Sequence, residues 1–171
     1  MSRPEKGEYA EYYDRYISLV EETDIVAVLE NQHTELHDFL NKITEEQSHF
    51  AYAADKWTIK EVIGHMTDGE RIFAYRALRI SRTDQTPIEG FEQDGYIENS
   101  NFNSTPLSEL TEELLLTRKA NLIFFKNLKD EAWLRAGTAS ENAVSVRALA
   151  YIMAGHIRHH LKILNERYLS Q

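Results

Sequence analysis

The chain contains no cysteine. That excludes disulfides, thiolate metal ligands and a thiol nucleophile of its own; a site for a soft metal has to be built from histidine and carboxylate. Any thiol chemistry would need a thiol brought in from outside. Proline and glycine are also scarce, 3 and 7 among 171 residues. With few alternating apolar–polar runs, this composition points to helices rather than strands. No apolar stretch approaches the roughly 20 residues that a membrane-spanning helix needs. The opening MSRPEKGEYAEYYDRY has no apolar segment like that of a secretion signal, so a cytoplasmic protein without a membrane partner is expected. Basic blocks are missing too: 19 Lys and Arg stand against 28 Asp and Glu, a net charge of −9. Nucleic-acid binding by phosphate neutralisation is therefore not expected. The length is that of one domain, residues 1–171, large enough to bury a core.

What the chain does contain is helical periodicity. The pattern predicts an all-α protein with helices near 7–21, 24–42, 58–81, 107–128 and 144–168, and a short turn of helix near 130–135. The third opens on a capping box: Thr58 caps it, Glu61 returns the bond, and Trp57 and Val62 flank them as an apolar staple. Thr105-Pro106 is a start signal for the fourth helix, with Thr at the cap and Pro at the first helical position. Between these two helices runs SRTDQTPIEGFEQDGYIENSNFNST, with little periodicity. A loop of that length is either a crossover demanded by a bundle topology or a lid over a site.

Three histidines carry the chemistry. His156 and His160 lie four apart in LAYIMAGHIRHHLKIL, so their imidazoles share one helical face. Leu149, Met153 and Leu164 fall within about 80° of them on a helical wheel, so both histidines occupy positions where Leu or Ile belongs. His65, 91 residues upstream of His156, likewise sits inside the stripe formed by Val62, Ile72, Phe73 and Ile80. Histidines in an apolar stripe are costly unless hydrogen-bonded or metal-bound. Three neutral imidazoles also leave coordination positions open, as catalytic metals require. One divalent ion per chain, held by His65, His156 and His160, is the expectation. Zn, Ni, Fe, Mn and Co all suit such a site, and affinity order does not choose among them.

The remaining histidines are expected to be bystanders. His33 and His37 repeat the His-x3-His spacing, but His37 falls on the helix shoulder beside Glu35 and Asp38. His159 points toward exposed Arg158 and Lys162, and His49 lies outside any stripe. Among other polar residues, Asp68 is a candidate to orient the His65 imidazole. Arg76, on the His65 face, is a candidate either to pair with a buried carboxylate or to receive an anionic substrate group. Gly69, one turn beyond His65, removes side-chain bulk and opens space for a pocket. Asp94 and Tyr96 are the loop residues expected to reach that pocket if the loop folds over it.

The segments WTIKEVIGHMTDGERIFAYRALRISR, GFEQDGY, GTAS and VSVRALAYIMAGHIRHHLKILNERYL resemble, in order and spacing, the DinB-like (YfiT-type) superfamily of candidate metalloenzymes. The resemblance covers about residue 24 to the C-terminus. It implies a four-helix bundle connected up-down-down-up with a long crossover loop, a divalent metal on His65, His156 and His160, and a homodimer. Members of that superfamily look like hydrolases, S-transferases of low-molecular-weight thiols, maleylpyruvate isomerase-like enzymes, or proteins without a known substrate.

The functional expectation is a metal-dependent enzyme acting on a small molecule. The metal would activate either water for hydrolysis or an exogenous low-molecular-weight thiol for transfer to an electrophile. The alternative of a different class is a non-catalytic metal-binding or stress-response interaction protein.

Overall fold

The computed structural model describes residues 2–170. After a 3-10 turn, Glu11–Tyr13, the chain forms α1 (Asp14–Ile17), α2 (Ile25–Leu40), α3 (Glu45–Ser48), α4 (Ile59–Ser81), α5 (Gln93–Glu98), α6 (Leu107–Lys126), the strands β1 (Ala136–Ala139) and β2 (Asn142–Ser145), and α7 (Val146–Ile163). A wider π-helical turn, Leu164–Tyr168, extends α7.

The four long helices make the bundle, and its two core clusters give their directions. One cluster unites Ile25, Val28 and Leu29 with Phe73, Ala77 and Ile80, with Leu122 and Phe125, and with Val146 to Ala154. The other unites Leu36 and Leu40 with Ile59 to Met66, with Leu107, Leu110 and Leu114, and with Ile157 and Leu164. The first halves of α2 and α7 thus lie beside the second halves of α4 and α6. The order is up-down-down-up, with α4 and α6 parallel neighbours. Two parallel helices cannot be joined by a short turn, so the long segment after α4 is first of all a crossover.

Local chemistry sets the helix starts. Thr58 and Glu61 form the expected capping box, with Glu61 N–H on Thr58 Oγ1 at 3.2 Å and Thr58 N–H on Glu61 Oε2 at 2.7 Å. The start of α6 differs from the expectation. Pro106 takes the cap position and the Thr105 hydroxyl donates to the Asn101 carbonyl. The missing cap comes from another element: Glu45 Oε2 accepts the Leu107 N–H at 2.8 Å and also pairs with buried Lys60. A carboxylate there suits the positive end of a helix.

Two parts of the chain depart from the helical expectation. The helix expected over 7–21 shortens to α1 and its 3-10 turn, because Glu8 is drawn away to α7. The Glu8 carboxylate accepts from Ser145 Oγ and Arg147 Nε, each at 2.7 Å, and its carbonyl accepts the Ser145 N–H. Residues 136–145 form an antiparallel hairpin in the register Ala136 to Ser145 through Ala139 to Asn142. Its turn places Ser140 (φ 49°) and Glu141 (φ 64°) in the left-handed region, where a non-glycine residue costs roughly 1–2 kcal/mol. Ile88 bridges to β1, exchanging backbone bonds with Thr138 and Ser140 at 2.9 Å. The crossover is thereby pinned to the hairpin. No helix among the described residues is long and apolar enough to cross a membrane.

Candidate metal centre

Antiparallel packing of α4 on α7 brings the second turn of one helix against the middle of the other. His65 comes from α4, His156 and His160 from successive turns of α7, and all three are buried. The Nε2 atoms of His65 and His156 are 3.0 Å apart, and those of His156 and His160 are 3.1 Å apart. Each residue offers one ligand atom within 4.8 Å of the others. Among the described residues their hydrogen bonds run only to one another. Two donors bound tetrahedrally at zinc-like distances sit about 3.3 Å apart, so the cluster needs little adjustment to close on one ion. Burial holds the imidazoles in the neutral form that ligates metal. It pushes His65 down to about 4, with the charge of His159 adding to the effect, and His156 and His160 well below their ordinary value.

Close backbone and side-chain approach makes room for this arrangement. A Cβ at Gly69 would lie 2.9 Å from His156 Cε1 and 3.2 Å from its Nδ1. At Gly155 a Cβ would meet the Tyr16 carbonyl oxygen at 2.0 Å, so only glycine lets α1 press this close to α7. That contact sets the Tyr16 ring edge-on to His156, with centroids 5.3 Å apart. On the other side the Trp57 ring lies 4.8 Å from the His65 ring. A cavity of about 300 Å³ opens on the cluster. His65 and His156 line it, together with Tyr12, Tyr13, Tyr16, Gly69, Phe73 and the crossover residues Phe91, Glu92 and Gln93.

The other candidates fall elsewhere. Asp68 does not hydrogen-bond His65. Its carboxylate lies 3.8 Å from the Arg71 guanidinium and lines a separate groove with Tyr96 and Asn99. The crossover does reach the cavity, through Phe91 to Gln93. Asp94 is exposed, and Tyr96 packs on the Phe91 ring at 5.5 Å and lines an adjoining cavity beside Arg76 rather than the one on the histidines. Arg76 is buried and pairs with no carboxylate among the described residues. His33 and His37 border a groove of about 630 Å³ between α2 and α6, with Leu115, Leu116 and Lys119. There His37 bonds Asp38 and Asn41. His49 lies 3.6 Å from Glu45, and His159 packs edge-on to Tyr16.

The tyrosine wall was not foreseen. Its signal was the clustering of Tyr9, Tyr12, Tyr13 and Tyr16 in one short segment. Equally unforeseen was a polar knot between the helices, in which Gln32, Glu70 and Arg118 are buried and Asn121 half-buried. Arg118 donates to Glu70 Oε1 at 2.6 Å and to Gln32 Oε1 at 3.1 Å. Asn121 donates to Glu70 Oε2 at 2.9 Å, and Gln32 donates to the Ala154 carbonyl at 2.8 Å. All four long helices contribute to it.

A family model described as the DinB superfamily matches residues 29–164. The chain belongs to the DinB superfamily. Among solved structures, this DinB-superfamily chain is similar to YfiT from Bacillus subtilis, with a TM-score of 0.74 and 18% identity over 95% of this chain and 89% of that one. YfiT is described as a probable metal-dependent hydrolase with an unusual four-helix bundle topology; at that identity the likeness is one of fold. Among curated proteins none matches this member of the superfamily.

Proposed function

We propose that the chain is a metal-dependent enzyme acting on a small molecule, with one divalent ion on His65, His156 and His160. The observation that carries this reading is the convergence of three buried imidazole nitrogens beside a cavity, with no other polar partner among the described residues. Nε2 atoms turned toward one another at 3.0 and 3.1 Å form a nitrogen-only set of the kind that a divalent ion takes. The description of YfiT as a probable metal-dependent hydrolase supports the same reading. An ion held there supplies Lewis acidity, bringing water or a thiol toward ionisation near neutral pH.

The protein's own residues prepare the setting. Tyr16, Phe73 and Phe91 line the cavity with aromatic rings, and their low polarity strengthens electrostatic interactions beside them. Gly69 keeps the His156 ring free to turn toward its partners. The reaction we propose is hydrolysis of an activated ester or amide, or transfer of an exogenous low-molecular-weight thiol to an electrophile. With no cysteine in the chain, that thiol is a co-substrate.

The test compares metal-loaded and chelated protein across ester, amide and thiol–electrophile panels. Turnover that appears with metal and disappears with chelator is the expected result. Metal binding without turnover on any panel would replace this reading by a non-catalytic metal-binding protein. Chelation is also expected to leave the helical circular dichroism intact at room temperature, since the apolar core does not depend on an ion. Collapse of that signal would make the site structural. Gly69→Ala is expected to weaken metal binding by about 10–100-fold, the range seen when a ligand loses its support. Titration with a competing chelator measures it.

A further inference from the structure

Among the described residues three guanidinium groups are buried, those of Arg76, Arg118 and Arg147. Arg118 is neutralised by Glu70 and Arg147 by Glu8. Arg76, only 2% exposed, has no carboxylate partner among the described residues. Its Nη2 donates to Ser140 Oγ at 2.8 Å and to the Glu89 carbonyl at 3.2 Å, and its Nη1 reaches the Tyr13 hydroxyl at 3.4 Å. Its Nε–H is buried without any partner. A buried cation satisfied only by neutral acceptors is unfavourable unless a counter-charge arrives from outside.

The surroundings show where it would arrive. Tyr13 and Ser140, which hold the guanidinium, also line the cavity on His65 and His156. Arg76 itself lines an adjoining cavity of about 350 Å³ with Ile72 and Tyr75, and Phe91 is common to both. Arg79 and Glu89 border that second cavity too. Asp84 neutralises Arg79 at 2.6 Å, and Arg76 takes the Glu89 carbonyl but forms no ion pair with its carboxylate, which leaves Arg76 without a paired counter-charge among the described residues. Ser140 is presented to it by the strained left-handed turn of the hairpin. A glycine would relax that turn and would carry no hydroxyl; breaking a local rule in this way is typical of functional positions. Residues 65 and 76 stand about 16 Å apart along α4 by helical rise, and an arginine side chain leans back toward the helix N-terminus, shortening the gap.

From these observations we infer that the substrate is a small organic carboxylate, its anionic end held by the Arg76 guanidinium beside Tyr13 and Ser140 and its reacting end at the three histidines. The proposal deepens the reading above and rests on it for the reacting end, whereas the anion subsite stands on Arg76 alone. The guanidinium fork matches a planar carboxylate in a way that an ammonium does not. The substrate is therefore elongated, with several atoms between its charged and its reacting group.

The experiment measures binding by calorimetry for a series of carboxylates from acetate to 3-phenylpropionate, each matched with its uncharged amide. It is run on zinc-loaded and on chelated protein, with zinc stoichiometry recorded in parallel. The carboxylates are expected to bind better than their amides by about 10–100-fold, the range of a hydrogen bond to a charged group. Arg76→Met is expected to erase that preference while zinc stoichiometry is unchanged, and Arg76→Lys to retain part of it. Equal binding of acid and amide throughout the series, or an undiminished preference in Arg76→Met, would overturn the proposal. If Arg76→Met does not fold, the acid–amide comparison in the unaltered protein and in Arg76→Lys decides. A preference for acids without zinc binding would leave the anion subsite standing and remove the metal reading. Zinc binding with no preference would do the opposite.

Discussion

Replacing His160 by alanine is expected to abolish stoichiometric metal binding or weaken it more than about 100-fold, beyond the loss that follows removal of a mere supporting group. His159→Ala, at the adjacent position, is expected to leave the stoichiometry at one ion per chain. The contrast arises from helical phase. His160 is buried with its Nε2 3.1 Å from that of His156, whereas the His159 ring packs edge-on to Tyr16 and contributes no atom to the converged set. Alanine at His33 or His37 is also expected to be neutral, because that pair sits on the groove between α2 and α6. Elemental analysis of protein purified without a metal-affinity tag provides the measurement. Loss of the ion in His159→Ala with retention in His160→Ala would show that the ligand set proposed here is wrong.

The second large effect concerns stability. Glu70→Ala is expected to destabilise the fold by about 3–5 kcal/mol, the cost of stranding one member of a buried ion pair. Against a total stability of about 5–15 kcal/mol, that brings the protein close to unfolding at room temperature. Arg118 has no exposure at all, and without Glu70 its guanidinium would keep only Gln32 as an acceptor. Burial pushes the Glu70 carboxyl up, and the Arg118 and Asn121 donors oppose that rise. The double variant Glu70→Leu with Arg118→Met is expected to recover much of the loss, because replacing both charges by apolar groups removes the stranded cation. Urea unfolding of the single and double variants measures both effects. Equal stability of Glu70→Ala and the unaltered protein would mean that water reaches the knot.

How much could be read in advance depended on how local each feature is. The capping box at Thr58 and Glu61 involves residues three apart, so the sequence displays it complete. The stripe through Val62, His65 and Phe73 is equally local, and periodicity shows which face of α4 is buried. The hairpin is different. AGTA and NAVS are short, lack alternation, and meet at Ser-Glu rather than a glycine turn; their partner Ile88 is remote in the chain. Glu8 is likewise captured by Arg147 from far away, which is why periodicity near the N-terminus overstates the helix. At the site, the convergence of residues 65, 156 and 160 follows from two faces that periodicity reveals, once the helices are known to pack together. Asp68 lies near His65 on a helical wheel, yet Arg71 and the groove outside claim it. Arg76 read from the sequence more readily as the partner of a buried carboxylate than as the receiver of a substrate anion, and only the folded chain shows which acceptors surround it.

The spacing of the three imidazoles along the chain also has a temporal meaning. His65 precedes the second of them, His156, by 91 residues. At about 5–20 residues per second, His65 waits roughly 5–18 s on the ribosome before a second member is even synthesised. Until α7 emerges and docks against α4, no ion could be gripped by more than a single nitrogen from this set. An ion that needs two or more of these nitrogens would thus be taken up only after α7 has docked on α4, not by the segment that carries His65 alone.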